Sequence, residues 1–213
     1  MNAGFSNLDT LKKHLLAGTM KADVRFNDTI SALGTGIAAG FEQATNRKLQ
    51  RASGDQAVYP ADRAEFLLPR FPIESVASLE LKLNETDGWV LQDASVIRII
   101  DNQTGIINCG DRDLGPYYGQ ARFTYTGGYW WETLEPDDAS YPSALPAGAA
   151  PLPNDLFQAW LLQCRYIWKR LDKMGVDLLK DAEAVVLRAG AAPEDFAPTV
   201  TRTLGNYTRY SLV

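Results

Sequence analysis

The chain has 213 residues, 46% of them apolar, and carries 21 Lys and Arg against 26 Asp and Glu for a net charge of −5. That length can bury a sizeable core and fits one domain with extensions better than two full domains. No apolar run reaches the roughly 20 residues of a membrane helix, and the N-terminus MNAGFSNLDTLKKHLL lacks the charged-then-apolar order of a secretion signal, so no membrane and a cytosolic site of synthesis are expected.

The first element is a short amphipathic helix over 8–17, with Leu8, Leu11, Leu15 and Leu16 on one face and a weak capping box formed by Ser6 and Asp9. Gly18 ends it, and a polar connection runs from Thr19 to Asn27. Asn27 or Asp28 then caps a long helix over 28–49, whose Ile30, Leu33, Ile37, Phe41 and Ala44 recur at three and four. Its interior glycines Gly34, Gly36 and Gly40 each cost up to about 1 kcal/mol against alanine, which predicts a sheet or a second helix packed close against it. The segment QRASGDQAVYPADR reads as a loop.

From there to residue 126 the period changes. Glu65 to Leu68, Ser75 to Leu83, Trp89 to Leu91, Val96 to Ile100, Ile106 to Ile107 and Gln120 to Tyr125 are short β-prone runs separated by turn residues, giving a small antiparallel region over 63–126. Val76, Leu79, Leu81 and Leu83 nearly alternate with polar residues, so one face is buried and one wet. Asn84 to Gly88 and Asp101 to Gly105 read as hairpin turns. The stretch 127–153 holds five of the eleven prolines and reads as a long loop; within it Glu132, Glu135, Asp137 and Asp138 stand with no Lys or Arg. A third long helix follows over 154–174, with Trp160, Cys164 and Ile167 expected to pack against Ile37 and Phe41. Val176 to Arg188 reads as a further helix, and Gly190 to Val213 as a β-prone tail in which threonines alternate with Val200, Arg202 and Leu204.

The fold class these elements predict is α+β but mainly helical: a bundle of long helices with a small antiparallel β region inserted between the second and third, plus an extended C-terminal tail. The division expected is a core over 1–174 and a helical extension with tail over 175–213.

Few residues point to chemistry. His14 is the sole histidine, lies on a short helix beside Lys13, and has no nucleophile elbow around it. Gly34, Gly36 and Gly40 miss the dinucleotide fingerprint by one residue and follow no strand. The run DNQTG at 101–105 lacks the alternating ligands and closing glutamate of a calcium loop. Cys109 and Cys164 have no metal-ligand spacing and read as buried free thiols. Asp111 with Asp113, or Glu132 with Asp137 and Asp138 beside Trp130 and Trp131, could supply the paired carboxylates of a hydrolase; solvated loop acids are the blander reading. No catalytic, metal or cofactor residue is therefore assigned, and no enzyme activity is expected.

Four stretches taken in order nevertheless resemble the phage head–tail connector, or adaptor, family that docks beneath the portal. They are SNLDTLKKHLL with the long helix ending in FEQATNRKL, where Glu42, Thr45, Asn46 and Arg47 stand at that family's spacing; FLLPRFPIESVASL; FTYTGGYW; and LPNDLFQAWLLQCRYIW. Together they span 6–171, and each is a signature of caps, turns and core positions. The loop 131–153 is longer than usual for the family, and the chain continues well past Leu171.

The resemblance implies a structural virion protein of the neck, assembled in the host cytoplasm as a ring of twelve. Its partners would be the portal protein, a head-closure (stopper) or tail protein, further copies of itself, and viral DNA passing through the channel without sequence-specific binding. An acidic chain suits such a channel, since it would not grip the phosphates. The partner interface is expected at Trp130, Trp131 and Tyr141 of the aromatic loop and at Val200, Leu204, Tyr207, Tyr210 and Leu212 of the tail, aromatic residues being enriched at interface hot spots. Another neck or tail-completion protein, or a hydrolase using the acidic aromatic loop 130–138, remain the alternatives.

Overall fold

The computed structural model describes residues 5, 7–84, 86–110, 119–132, 144–173 and 196–209. These divide into two compact units, Met1–Asn46 with Trp131–Leu145 and Pro151–Thr208, and Arg47–Trp130 with Pro146–Ala150 and Arg209–Val213.

The first unit is helical. Helix α1 (Leu8–Leu15) is capped by Asn7, whose Oδ1 accepts the Thr10 amide at 2.9 Å, one residue later than the Ser6 cap expected. Two 3-10 turns, Gly18–Ala22 and Val24–Phe26, replace the irregular connection and lead into α2 (Asn27–Thr45). Lys12 ties these pieces together: its buried ammonium donates to the Asp23 carbonyl at 3.0 Å and to Asn27 Oδ1 at 2.7 Å.

Helix α2 stops at Thr45 rather than continuing to Leu49. Asn46 takes the left-handed conformation (φ 50°), its N–H bonds back to Gln43 and Glu42, and the Thr45 hydroxyl returns to the Phe41 carbonyl at 2.7 Å.

The core of this unit follows the predicted stripe. Ile30, Leu33, Ile37 and Phe41 of α2 are buried, as are Leu156, Trp160, Cys164 and Ile167 of α3 (Asn154–Lys173). Trp160 Nε1 donates to the Gly34 carbonyl at 2.9 Å, and a Cβ on Gly34 would lie 3.0 Å from the Trp160 ring and 2.8 Å from Leu11 Cδ1. The close approach that the glycines implied is therefore made at Gly34, by a helix. Around Gly36 a Cβ would meet nothing within 4 Å. Phe5 fills the space between, its ring centroid 6.0 Å from Phe41, 5.6 Å from Trp160 and 5.1 Å from Trp131.

The predicted extended tail is contradicted at 198–205, which form α4 (Pro198–Gly205). Pro198 sits in the first helical turn, where its missing N–H costs nothing. Val200 and Leu204, four residues apart, are both buried, and the Thr203 hydroxyl bonds to the Thr199 carbonyl at 3.1 Å. Alternating threonines suggested a strand; burial of an i, i+4 apolar pair decided for a helix. The helix expected over 176–188 lies outside the described residues.

The second unit is β-structure: β1 (Ala52–Pro60), β2 (Glu65–Leu67), β3 (Ile73–Lys82), β4 (Val90–Leu91), β5 (Arg98–Asp101), β6 (Ile106–Asn108), β7 (Gln120–Gly127), β8 (Tyr129–Trp130) and β9 (Ala150–Pro151). They form a four-stranded sheet in the order β1-β7-β3-β4, a three-stranded sheet β2-β6-β5, and the pair β8-β9. With four α-helices and nine strands in three sheets among the described residues, the chain is α+β and not the mainly helical bundle expected.

The underestimate came chiefly from β1, read as a loop because it holds Gly54 and ends in Pro60. It pairs with β7 from Ala52↔Gly127 to Pro60↔Gln120, with a register shift at Ala52/Asp55. An edge strand tolerates such residues because only one side must supply a ladder. The turn at 101–105 is a turn as expected: Gly105 has φ +82°, and the Asp101 carboxylate accepts from the Gln103 amide and the Thr104 hydroxyl, both at 2.8 Å. Between the two larger sheets lies a core of Phe66, Leu68, Phe71, Leu79, Ile107 and Phe123 with their neighbours.

Candidate interaction surface

Charged side chains inside the β unit are committed to holding it together. Arg70 Nε donates to Asp55 Oδ2 at 2.8 Å, its guanidinium also reaches the Gln50 carbonyl, and its backbone N–H donates to the Tyr125 hydroxyl at 3.1 Å. Lys48 adds a longer contact to Asp55 at 3.4 Å. Burial acts to raise the Asp55 carboxyl, but Arg70 and Lys48 outweigh it and hold the group below its usual range. Arg51 grips Glu74 with two bonds, at 2.8 and 3.1 Å. Arg47 reaches the Phe71 carbonyl while its guanidinium lies 3.5 Å from the centre of the Phe71 ring.

These groups pin the segment after α2 to strands β1 and β3. Asp55 and Glu74 are thus each spent on a cation of the fold.

The thiols are protonated at neutral pH. Burial pushes Cys109 up to about 11 and raises Cys164 strongly. Among the described residues no group of three or more His, Cys, Asp and Glu could hold a metal ion, and no helix is long and apolar enough to cross a membrane. His14 is an exposed residue of α1. Glu132 is exposed, while Glu135, Asp137, Asp138, Asp111 and Asp113 lie outside the described residues.

The residues expected at a partner interface are placed as follows. Trp130 and Trp131 are buried, Trp131 against the Phe5 ring, and Val200 and Leu204 are buried on α4. Tyr207 donates its hydroxyl to Asp155 Oδ1 at 2.7 Å, tying the end of α4 to the start of α3. Tyr141, Tyr210 and Leu212 lie outside the described residues. All five described positions thus have partners within the chain itself.

Three surfaces that the sequence pattern does not single out are exposed in part or in full. On the outer face of α3 stand Leu162, Arg165, Tyr166 and Lys169, a basic stripe with apolar interruptions. On the outer face of the four-stranded sheet, Arg122 pairs with its cross-strand partner Glu80 at 2.8 Å, and Trp89 packs over it, 4.4 Å from the Arg122 guanidinium and 5.8 Å from the Lys82 ammonium. The third is apolar. Val90 and Leu91 of β4, Val96 of the following 3-10 turn, and Ile99 and Ile100 of β5 are all exposed within one short stretch of chain. Its signal in the sequence was the β-prone run itself, which carries no information on which strand becomes an edge.

No family model matches the chain, and no curated protein matches it. Solved structures do. A chain in the virion of the native gene transfer agent particle aligns over 100% of this chain and 95% of its own length, with TM-score 0.57 and 20% identity. A chain in the neck of the empty particle, computed with C6 symmetry, gives TM-score 0.54 and 21% identity over 100% and 94%. A chain in the neck of the native particle, computed with C12 symmetry, gives 0.51 and 20% over 100% and 94%. At this identity the likeness is one of fold, and it extends over both units.

Proposed function

We propose that the chain is a structural protein of a phage-like virion neck, an adaptor that forms a ring between the portal and a head-closure or tail protein and continues the DNA channel. The observation that carries this reading is the full-length likeness in fold to chains of gene transfer agent neck structures, which covers all of this chain and nearly all of theirs. The resemblance of the four ordered sequence stretches to head–tail connectors points the same way on independent grounds. The six- and twelvefold symmetry applied to those necks supports a cyclic homo-oligomer, with twelve copies as the expected number.

A protein that works by assembly needs rigid units and exposed complementary faces rather than convergent titratable groups. The Asp55–Arg70 and Arg51–Glu74 pairs supply rigidity in the β unit, and the Gly34–Trp160 contact supplies it in the helical unit. Viral DNA would traverse the ring without sequence-specific contacts, in keeping with the net charge of −5.

Deleting the gene from the genome that encodes this chain tests the reading. The expected result is DNA-filled heads that fail to join tails. Tailed, infectious particles made without the protein would overturn the reading, and joined but leaky necks would favour a tail-completion role instead.

A further inference from the structure

Side-chain rows across both larger sheets run from covered to uncovered. In the four-stranded sheet Ala121, Leu81 and Val90 are successive partners on β7, β3 and β4, and so share one face. Ala121 and Leu81 belong to the buried core, whereas Val90 is 59% exposed. In the three-stranded sheet Phe66, Ile107 and Ile99 are successive partners on β2, β6 and β5; the first two are core residues and Ile99 is 41% exposed. The apolar faces that make the core therefore continue onto β4 and β5 beyond what covers them. Both are edge strands, joined to each other in the chain through Ala94–Val96, and both present backbone groups outward.

The opposite side of the unit is closed. The Tyr59 hydroxyl of β1 and the Arg209 guanidinium both donate to the Leu67 carbonyl of β2 at 2.6 Å, and the Tyr59 and Phe66 rings lie 5.6 Å apart.

Charge follows the same polarity on the other face of the three-stranded sheet. Glu65, Asn108 and Arg98 form one cross-strand row, with exposed Glu65 on the closed edge and exposed Arg98 on the open one. Neither makes an ion pair among the described residues.

We propose that the open β4–β5 seam is covered by a second copy of this chain, docked head to tail through its β2 side, with Arg98 facing Glu65 of the neighbouring copy. A head-to-tail contact needs two different surfaces on the same chain, and Arg98 and Glu65 place opposite charges at the two ends of one row. Such contacts, repeated by a rotation that closes, generate a ring. The assignment rests on the ring reading above and specifies which faces build it.

Native mass spectrometry of the purified full chain tests it. Wild type should give a closed oligomer. Val90→Lys with Ile99→Lys should give monomer with wild-type circular dichroism and a melting temperature within a few degrees of wild type, because both side chains stand at the uncovered ends of their rows. Should that pair melt early, Val90→Lys alone, at a position 59% exposed, repeats the test on the same face. Arg98→Glu should weaken assembly roughly tenfold, and adding Glu65→Arg should restore it.

Rings from the folded lysine variants would overturn this contact and leave the ring reading standing. A charge swap that fails to rescue would overturn the Arg98–Glu65 pairing. A wild-type chain that stays monomeric at every concentration would remove the ring reading, and this contact with it.

Discussion

Two glycines of one helix make opposite predictions. At Gly34 a methyl group would press on Leu11 Cδ1, which can move, and on the Trp160 ring, which is held by its hydrogen bond to the Gly34 carbonyl. Gly34→Ala should therefore destabilise by about 1–3 kcal/mol. At Gly36 nothing stands in the way, so Gly36→Ala should stabilise by about 0.5–1 kcal/mol. Urea denaturation of both variants checks the pair, and equal effects would show that the contact at Gly34 is not as close as described.

Asp55 adds a pH signature. Its carboxyl is held below the usual 3.8, so the ionised form is favoured in the folded state. The stability it contributes is present above the ordinary carboxylate value and is lost as pH falls through the lowered folded value. Asp55→Asn should cost about 1–3 kcal/mol at pH 7, and the difference from wild type should shrink in acid below pH ~3.8. A difference that grew in acid would contradict the arrangement.

Among the elements, α4 is the sharpest test, because the sequence reads as a β-prone, extended tail and the structure makes it a helix with two buried residues. Leu204→Ala, or removal of residues 198 onward, should lower stability markedly, with about 2–5 kcal/mol for the single substitution. A truncated chain that melts like wild type would return α4 to the status of an appendage. Trp131→Ala should act in the same way, through the Phe5 contact, with loss of folding preceding any assembly defect.

What was legible followed from period and turn chemistry. The stripe Ile30, Leu33, Ile37 and Phe41, the Trp160 helix, the DNQTG turn and the buried thiols all declare themselves locally. What was not legible depends on distant partners. Strand β1 exists because β7 offers it a ladder, α4 exists because its two apolar residues find a core, and neither the burial of Trp130 nor the exposure of Val90 and Ile99 is written in their neighbours in sequence. For the candidate surface, the sequence identified aromatic side chains that would be costly to expose. The fold buries Trp130 and Trp131, leaves Tyr207 half-buried, and exposes in addition a different, aliphatic strip.

The molecule as a whole is two internally braced units, one of them presenting an open seam on one side and, on the other, a closed edge that carries Glu65. We propose that copies of this chain form a ring in the neck of a virion. A cryo-electron-microscopy reconstruction of the neck of the particle encoded with this gene tests that most directly. The expected result is cyclic density between head and tail into which this fold fits once per subunit, in twelve copies. A neck whose density is fully explained by other chains, or this chain found elsewhere in the particle, would contradict it.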